Sequence, residues 1–347
     1  MKKMIFKGLF LALAGIVVIS CKKEQLTQSV SSDKQITHVQ KSGNASSLTD
    51  GITVEDGLLR FQNENHIKQT IDGLYQLYLE HENAFLAAHP NVHGADLMPV
   101  EVETGFNDYA PYEEFESALA FSSLRSKINQ EATAYYASGA ENGDNPDNHF
   151  ILEDAVQTVL NKFEEVKIGD AIYKFYEHGY IKIVDGNFST LLQIRENQEL
   201  ALSSDNVEIV GLIGSTATNA AILCDGFRSS NGKYIVGNYK IEWRVAIQTY
   251  PWSRYVIAES TNFKNNKKVR SYTMCRVWGD ISATINGVAD CASALTFNTS
   301  SGSYSDKYDT KNWQHKINVV TRTQSNWVKG QHKSGIITNP YSSVLTF

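Results

Sequence analysis

Residues 239–247, Tyr-Lys-Ile-Glu-Trp-Arg-Val-Ala-Ile, decide the fold of the C-terminal part of this chain. Apolar side chains occupy every second position from Tyr239 to Ile247. A period of two places alternate side chains on opposite faces of an extended strand, so this stretch predicts a half-buried β-strand. The Asn-Gly step within 229–232 predicts a tight turn shortly before it. Further strands are predicted at 255–261, 269–278, 281–288, 294–297, 317–322 and 344–347, at a spacing typical of an all-β sandwich or barrel.

The sequence upstream of this region has helical periodicity instead. Apolar residues recur three or four positions apart in 67–78, 121–135 and 152–163, which predicts three amphipathic helices, the first with Asn63 or Asn65 as candidate N-cap. A short helix is predicted at 188–194, and residues 166–183 predict a small β-hairpin turning at His178-Gly179. The predicted fold class is therefore α+β: an α-rich module with a small β-hairpin at 56–204, followed by an all-β, sandwich- or barrel-like module at 205–347.

The charge of the chain is divided unevenly between these two modules. The formal net charge is −6, but residues 21–205 carry 13 Lys and Arg against 30 Asp and Glu, whereas residues 206–347 carry 16 against 8. Such asymmetry supports two modules of different character. The acidic module is unsuited to nucleic acid or an anionic lipid surface, and no nucleic-acid partner is predicted. The basic module could bind an anionic ligand or its acidic neighbour, and we favour the neighbour because its effective concentration is high.

The first twenty-one residues have the layout of an export signal. Lys2, Lys3 and Lys7 precede a short apolar run at 9–19, which ends at Val-Ile-Ser-Cys21. A basic head, a short apolar stretch and a small residue before a cleavage site are typical of a secretory signal peptide. The placement of Cys21 resembles the lipobox of bacterial lipoproteins. This resemblance implies that residues 1–20 are removed and that acyl chains on Cys21 anchor the protein to a membrane; an ordinary secreted protein is the alternative.

The segment after this leader predicts a tether. Residues 21–55 are rich in Ser, Thr, Gln and Lys and have few apolar residues, a composition that is typical of flexible segments. Lys22, rather than Asp, follows the cysteine. The lipoprotein resemblance therefore implies sorting to the bacterial outer membrane, with the periplasmic and the surface face both open.

The remaining cysteines predict a disulfide rather than a metal site. Cys224, Cys275 and Cys291 all lie in the basic module, and an oxidising envelope permits one disulfide among them. Cys275 with Cys291 closes the shortest loop, but the sequence leaves all three pairings open. No close cysteine pair or Cys/His cluster has the spacing of a zinc site, and no nucleotide or cofactor motif is present, so neither a metal nor a cofactor is predicted.

One cationic segment suggests a function. Lys264, Lys267, Lys268 and Arg270 alternate with asparagines and predict a hairpin tip, and Trp252 lies close enough in sequence to stack on a sugar ring. Four cations on one tip could hold an anionic ligand. We therefore predict a non-enzymatic binding module for an anionic glycan or polysaccharide. Lysines that merely protect a strand edge, and aromatic residues of the core, are the structural alternatives.

Two other functions are compatible with the sequence. An envelope hydrolase would need acidic, basic or nucleophilic groups that converge between the two modules. A structural or assembly subunit would instead present a large apolar surface and no pocket.

Overall fold

The computed structural model describes residues 45–138, 146, 149–177, 179–211, 228–265, 267–271, 273–284, 291–298, 304–305, 309–316, 323–335 and 341–346. The predicted signal peptide at 1–20, the lipid attachment at Cys21, most of the predicted tether and Cys224 lie outside these residues. Residues from Ser42 to Phe347 group into one compact unit. The α+β fold class is confirmed, since helices and antiparallel sheets are both present.

The first predicted helix is confirmed, with its cap. Helix α1 spans Glu64–Ala88, and the side-chain oxygen of Asn63 accepts a hydrogen bond from the backbone N–H of His66. Such a cap satisfies one of the free N–H groups of a first helical turn. The other helices are α2 Leu97–Thr104, α3 Ala110–Ala118, α4 Leu124–Ala137, α5 Asp154–Val159 and α6 Phe188–Glu196. Short 3-10 helices cover Ala45–Thr49, Gly94–Asp96 and Gln198–Ser203.

The first half of the chain contains a six-stranded sheet where only a small β-hairpin was predicted. Its strands, in spatial as in chain order, are β1 Thr53–Glu55, β2 Leu58–Phe61, β3 Glu165–Ile168, β4 Ala171–Tyr176, β5 Gly179–Ile183 and β6 Val207–Gly211. Only β2 and β3 pair in parallel. The prediction missed β1 and β2 because these strands have only three and four residues, too few for a recognisable alternation of apolar and polar side chains. Gly169, at φ +60°, adds a turn that splits one predicted strand into β3 and β4.

The second half forms two five-stranded antiparallel sheets. One contains β7 Arg228–Val236, β8 Tyr239–Tyr250, β9 Ser253–Lys264, β10 Lys267–Lys268 and β14 Asp309–Lys316. The other contains β11 Thr273–Thr284, β12 Cys291–Asn298, β13 Tyr304–Ser305, β15 Thr323–Ser334 and β16 Tyr341–Thr346. The alternating stretch at 239–247 lies in β8, so its prediction as a strand is confirmed.

The predicted tight turn at Asn231-Gly232 is wrong. Strand β7 continues through both residues, and Gly232 pairs with Trp243 of β8. The chain turns five residues later, at Gly237, where φ is +60°. A Cβ atom on Gly232 would lie 2.7 Å from the indole ring of Trp243. Glycine is therefore required at this position for the close approach of the indole ring and not for a turn.

Residues from both halves of the chain share one hydrophobic core. This core includes Phe61 and Leu74 from the first half and Tyr255 and Ile257 from β9. A smaller cluster, around Ile181 and the residues that α6 buries, lies on the first sheet. The shared core holds β8 and β9 against the helical region and creates the cleft described below.

Candidate functional site

The structure has the predicted hairpin, and its three lysines lie on that hairpin. Strand β9 ends at Lys264, strand β10 begins at Lys267, and these two residues lie directly opposite each other. Asn265 turns the chain with φ at +50°. Lys264 and Lys267 are exposed, whereas Lys268 is half-buried. Like charges directly opposite each other on paired strands repel and destabilise the pairing. A bound anion would reduce this repulsion between Lys264 and Lys267.

Arg270 does not belong to this exposed tip, and its prediction as a ligand contact is wrong. It is 0% exposed. Its Nη1 donates to Glu82 at 2.9 Å and its Nη2 to Asp108 at 3.1 Å, while its Nε donates to Glu101 at 2.6 Å. All three carboxylates come from the first half of the chain. Arg270 therefore joins the two halves, as the charge asymmetry suggested for the basic module as a whole.

The surroundings of Arg270 keep its guanidinium charged. Burial alone would lower the pKa of Arg270, but hydrogen bonds to Glu101 and Glu82, together with the negative charges of Glu82 and Asp108, raise it above the ordinary value. A variant in which all four predicted cations are neutralised would therefore lose a structural ion pair as well as surface charge. Ligand binding by the tip has to be tested on the lysines alone.

Trp252 is also buried, and its prediction as a sugar-stacking residue is wrong. Its indole ring stacks on Tyr250 at 5.0 Å between ring centroids, and the ring of Phe175 lies edge-on to it at 5.7 Å. Burial raises the pKa of Tyr250 and of Tyr255 well above the ordinary value for tyrosine. These aromatic residues therefore form core between β8, β9 and the first sheet, which was the structural alternative.

The sheet register excludes the predicted disulfide. Cys275 pairs with His332, whereas Cys291 pairs with Thr284 of the same strand β11. Position 284 lies nine residues beyond position 275, which corresponds to roughly 30 Å along an extended strand. Cα atoms joined by a disulfide are at most about 7 Å apart. The prediction of a Cys275–Cys291 disulfide is therefore wrong.

A cleft of about 190 Å³ separates α4 and α5 from strand β9, and Lys268 lies on its wall. The polar and aromatic residues of this wall are Tyr109, Arg125, Asn129, Thr133, Tyr136, Asp154, Gln157, Glu259, Thr261 and Lys268. The ammonium group of Lys268 lies 5.9 Å from the centroid of the Tyr136 ring. The cleft thus receives side chains from both halves of the chain, and the cationic hairpin forms part of its rim.

Arg125 is the most firmly held residue of this cleft. Its Nε and Nη2 donate to the two carboxylate oxygens of Glu116 at 3.0 and 2.7 Å, and the hydroxyl of Ser123 donates to the same carboxylate. The guanidinium also lies over the ring of Tyr109, at 5.3 Å. Bidentate pairing and a cation–π contact fix its orientation. Sequence reasoning missed Arg125 because a single arginine in an amphipathic helix carries no signal of burial.

A second cavity, of about 310 Å³, adjoins the first. Glu259 and Thr261 of β9 line both cavities, and the second also contains Trp243, Gly232 and Lys233. The ring of Trp243 lies close to Gly232, as described above. The two cavities therefore share part of their wall on strand β9.

The described part of the chain contains neither a candidate membrane-spanning helix nor a candidate metal cluster. No helix there combines the length and the apolar character that a membrane crossing needs. No group of three or more His, Cys, Asp or Glu side chains, among the residues that the structure places, is arranged to hold a metal ion.

Comparison with known proteins adds little to this description. No family model matches the sequence, and no curated protein matches it. The chain is similar to the crystal structure of a DUF4848 family protein from Bacteroides thetaiotaomicron, at 12% sequence identity and a TM-score of 0.19. The alignment covers 85% of this chain and 100% of that chain. At that TM-score the similarity supports no conclusion about fold or function.

Proposed function

We propose that this chain is a lipid-anchored outer-membrane lipoprotein whose folded part binds an acidic glycan without catalysing a reaction. One observation carries the proposal: Lys268 of the cationic hairpin lies on the wall of the cleft between the two halves. The acyl chains on Cys21 would anchor the protein, and the residues up to about 55 would hold the folded part away from the bilayer.

The chemistry of the cleft suits a sugar that carries a negative charge. Tyr136 offers a half-buried aromatic ring beside Lys268. Asn129, Gln157 and Thr261 add amide and hydroxyl groups, which can hydrogen-bond sugar hydroxyls in both directions. Lys268 supplies a charged donor for a carboxylate or sulfate group, and charge-assisted hydrogen bonds are about twice as strong as neutral ones. Lys264 and Lys267, just outside the cleft, would attract an acidic polymer over a longer range.

For the two C-terminal sheets we propose a sandwich arrangement. Strands β8 and β9 of one sheet contact β15 of the other, and β7 contacts β16, which supports face-to-face packing. In a sandwich, one face of β8 and β9 packs on the other C-terminal sheet, and the opposite face can pack against the helical half. This arrangement accounts for buried residues on both faces, such as Val245 on one and Tyr255 on the other.

A binding measurement with lysine variants tests the proposed function. The full chain, purified in mild detergent, is titrated calorimetrically with hexagalacturonate and with neutral maltohexaose at low and high salt. We expect salt-sensitive binding of the acidic oligosaccharide only. The K268Q substitution should weaken this binding about 10- to 150-fold, because one charge-assisted hydrogen bond is worth roughly 1.5–3 kcal/mol. K264Q/K267Q/K268Q should remove most of the salt dependence without changing the melting temperature.

A matched control separates the site from overall charge. K68Q/K162Q/K182Q removes three positive charges from the acidic half, where the ion pairs of Lys68 and Lys182 are partly exposed and worth about 0–1 kcal/mol each. This control should bind hexagalacturonate like the unmodified chain. Equal binding by K264Q/K267Q/K268Q and by the control would contradict the proposed site, and equal binding of both oligosaccharides would contradict the preference for acidic glycans.

A second candidate function, hydrolysis of a glycan, rests on two carboxylates. Asp154 of α5 and Glu259 of β9 come from different halves of the chain and line the same cleft. Glycosidases use a pair of facing carboxylates. Incubation with oligogalacturonates followed by mass spectrometry would detect shorter products, and E259Q should abolish them if this function is correct. Binding without any cleavage would favour the non-enzymatic function.

A further inference from the structure

Three consecutive apolar residues are exposed at the end of strand β7. Tyr234, Ile235 and Val236 are 38%, 57% and 48% exposed. Neighbouring side chains on a strand point to opposite faces, so exposure of all three shows that both faces of this strand end are clear of the core. Among the strands that the structure describes, β7 is also at the edge of its sheet. Exposed apolar residues on an edge favour aggregation, and proteins that keep them generally use them for binding.

Cationic side chains lie at the same end of the sheet as these apolar residues. The backbone N–H of Asn265 donates to the carbonyl of Asn238 at 2.8 Å, which joins the turn after β7 to the hairpin between β9 and β10. Val236 pairs with Tyr239 of β8, which pairs with Lys264 of β9, so Lys264 and Lys267 lie two and three strands away from β7. Exposed Lys233 precedes the apolar residues on β7 itself. We call the surface formed by 234–236, Lys233, Lys264 and Lys267 the sheet tip.

We infer that the sheet tip docks on a bilayer surface that contains anionic phospholipids. Exposed apolar side chains with lysines at the same end of the sheet match the bilayer interface, where apolar groups enter the acyl boundary and ammonium groups reach the phosphates. Each lysine near an anionic bilayer contributes roughly fivefold to binding. The same lysines would repel each other across an interface between two copies of the sheet tip, so charge complementarity favours the bilayer over a second copy of the chain.

This inference is separate from the proposed function. The cleft residues Tyr136 and Lys268 do not belong to the sheet tip, and Ile235 and Val236 do not line the cleft. Lys264 and Lys267 supply charge to both surfaces. The decisive substitutions are therefore those of the two apolar residues, which should leave hexagalacturonate binding unchanged.

Vesicle sedimentation tests the inference. The full chain with C21S, which prevents acylation, is mixed with vesicles of phosphatidylcholine alone or with 30% phosphatidylglycerol (roughly the anionic content of many bacterial membranes). Every variant keeps the same residues 1–44, so differences between variants report the sheet tip. We expect I235S/V236S to lower the partition coefficient on anionic vesicles about tenfold. K264Q/K267Q should lower it about 25-fold, but only on the anionic vesicles.

The control is V102S, because Val102 on α2 is 85% exposed and does not belong to the sheet tip. It should partition like the C21S chain. Unchanged partitioning of I235S/V236S would overturn the inference. Sedimentation velocity gives a second test: a dimer of the C21S chain that I235S/V236S dissociates would show that a second copy, and not a bilayer, occupies the sheet tip.

Discussion

Replacing Arg270 with methionine is expected to destabilise the fold by about 3–5 kcal/mol, the usual cost of breaking a buried ion pair. The methionine side chain fills part of the same volume but leaves Glu82, Glu101 and Asp108 without their shared cation. Glu82 and Asp108 are themselves buried, so water cannot replace the lost hydrogen bonds. Three charge-assisted hydrogen bonds at roughly 1.5–3 kcal/mol each would suggest a larger loss of stability. The loss is smaller because, in the intact cluster, part of the energy of these hydrogen bonds only offsets the cost of desolvating the four charged groups.

Chemical denaturation at pH 7 measures this loss, and differential scanning calorimetry should show a melting temperature lower by roughly 5–8 °C. The control is R60M, which removes an arginine whose ion pairs with Glu55 and Asp170 are partly exposed and should cost less than about 1 kcal/mol. A loss below about 1 kcal/mol at pH 7, similar to that of R60M, would refute the structural role of Arg270.

Three further predictions concern stability and processing. Burial, with smaller effects of Glu64 and Glu208, raises the pKa of Tyr173 to about 12. The contribution of Tyr173 to stability should therefore be complete below about pH 10, the ordinary tyrosine pKa, and be lost as the pH rises through 12. The Y173F substitution should reduce the fall in the denaturation midpoint between about pH 9 and 11.5. The G232A substitution should cost about 1–3 kcal/mol, because its Cβ would overlap the Trp243 ring, and W243L should restore most of that loss in the double variant. Mass spectrometry of the mature protein should find acyl chains on an N-terminal Cys21, and an unmodified N-terminus would contradict the lipoprotein resemblance.

The elements that were predicted correctly are those whose signal is local. Strand β8 repeats its apolar residues over nine positions, and α1 combines helical spacing with a capping asparagine at its start. Both patterns depend on neighbours within the same segment. The short strands β1 and β2 have no such pattern, because their position in the sheet depends on β3, about a hundred residues later in the chain.

The errors at the candidate site have the opposite cause. Arg270 lies among lysines in the sequence, yet its partner Glu82 is 188 residues away, so burial could not be inferred from the local composition. The charge difference between the two halves was the available signal, and it correctly indicated that a basic residue would meet the acidic half. Gly232 and the cysteine pair show the same limitation, since the approach of Trp243 and the register of β11 with β12 are set between strands.

Hydroxyl-radical footprinting of the full chain with hexagalacturonate tests the central claim most directly, because it reports which side chains the ligand covers. The proposed site predicts protection of Tyr136 in the cleft, and no protection when maltohexaose replaces the acidic oligosaccharide. Bound hexagalacturonate that leaves Tyr136 fully reactive, or that protects only residues away from the cleft, would contradict the account.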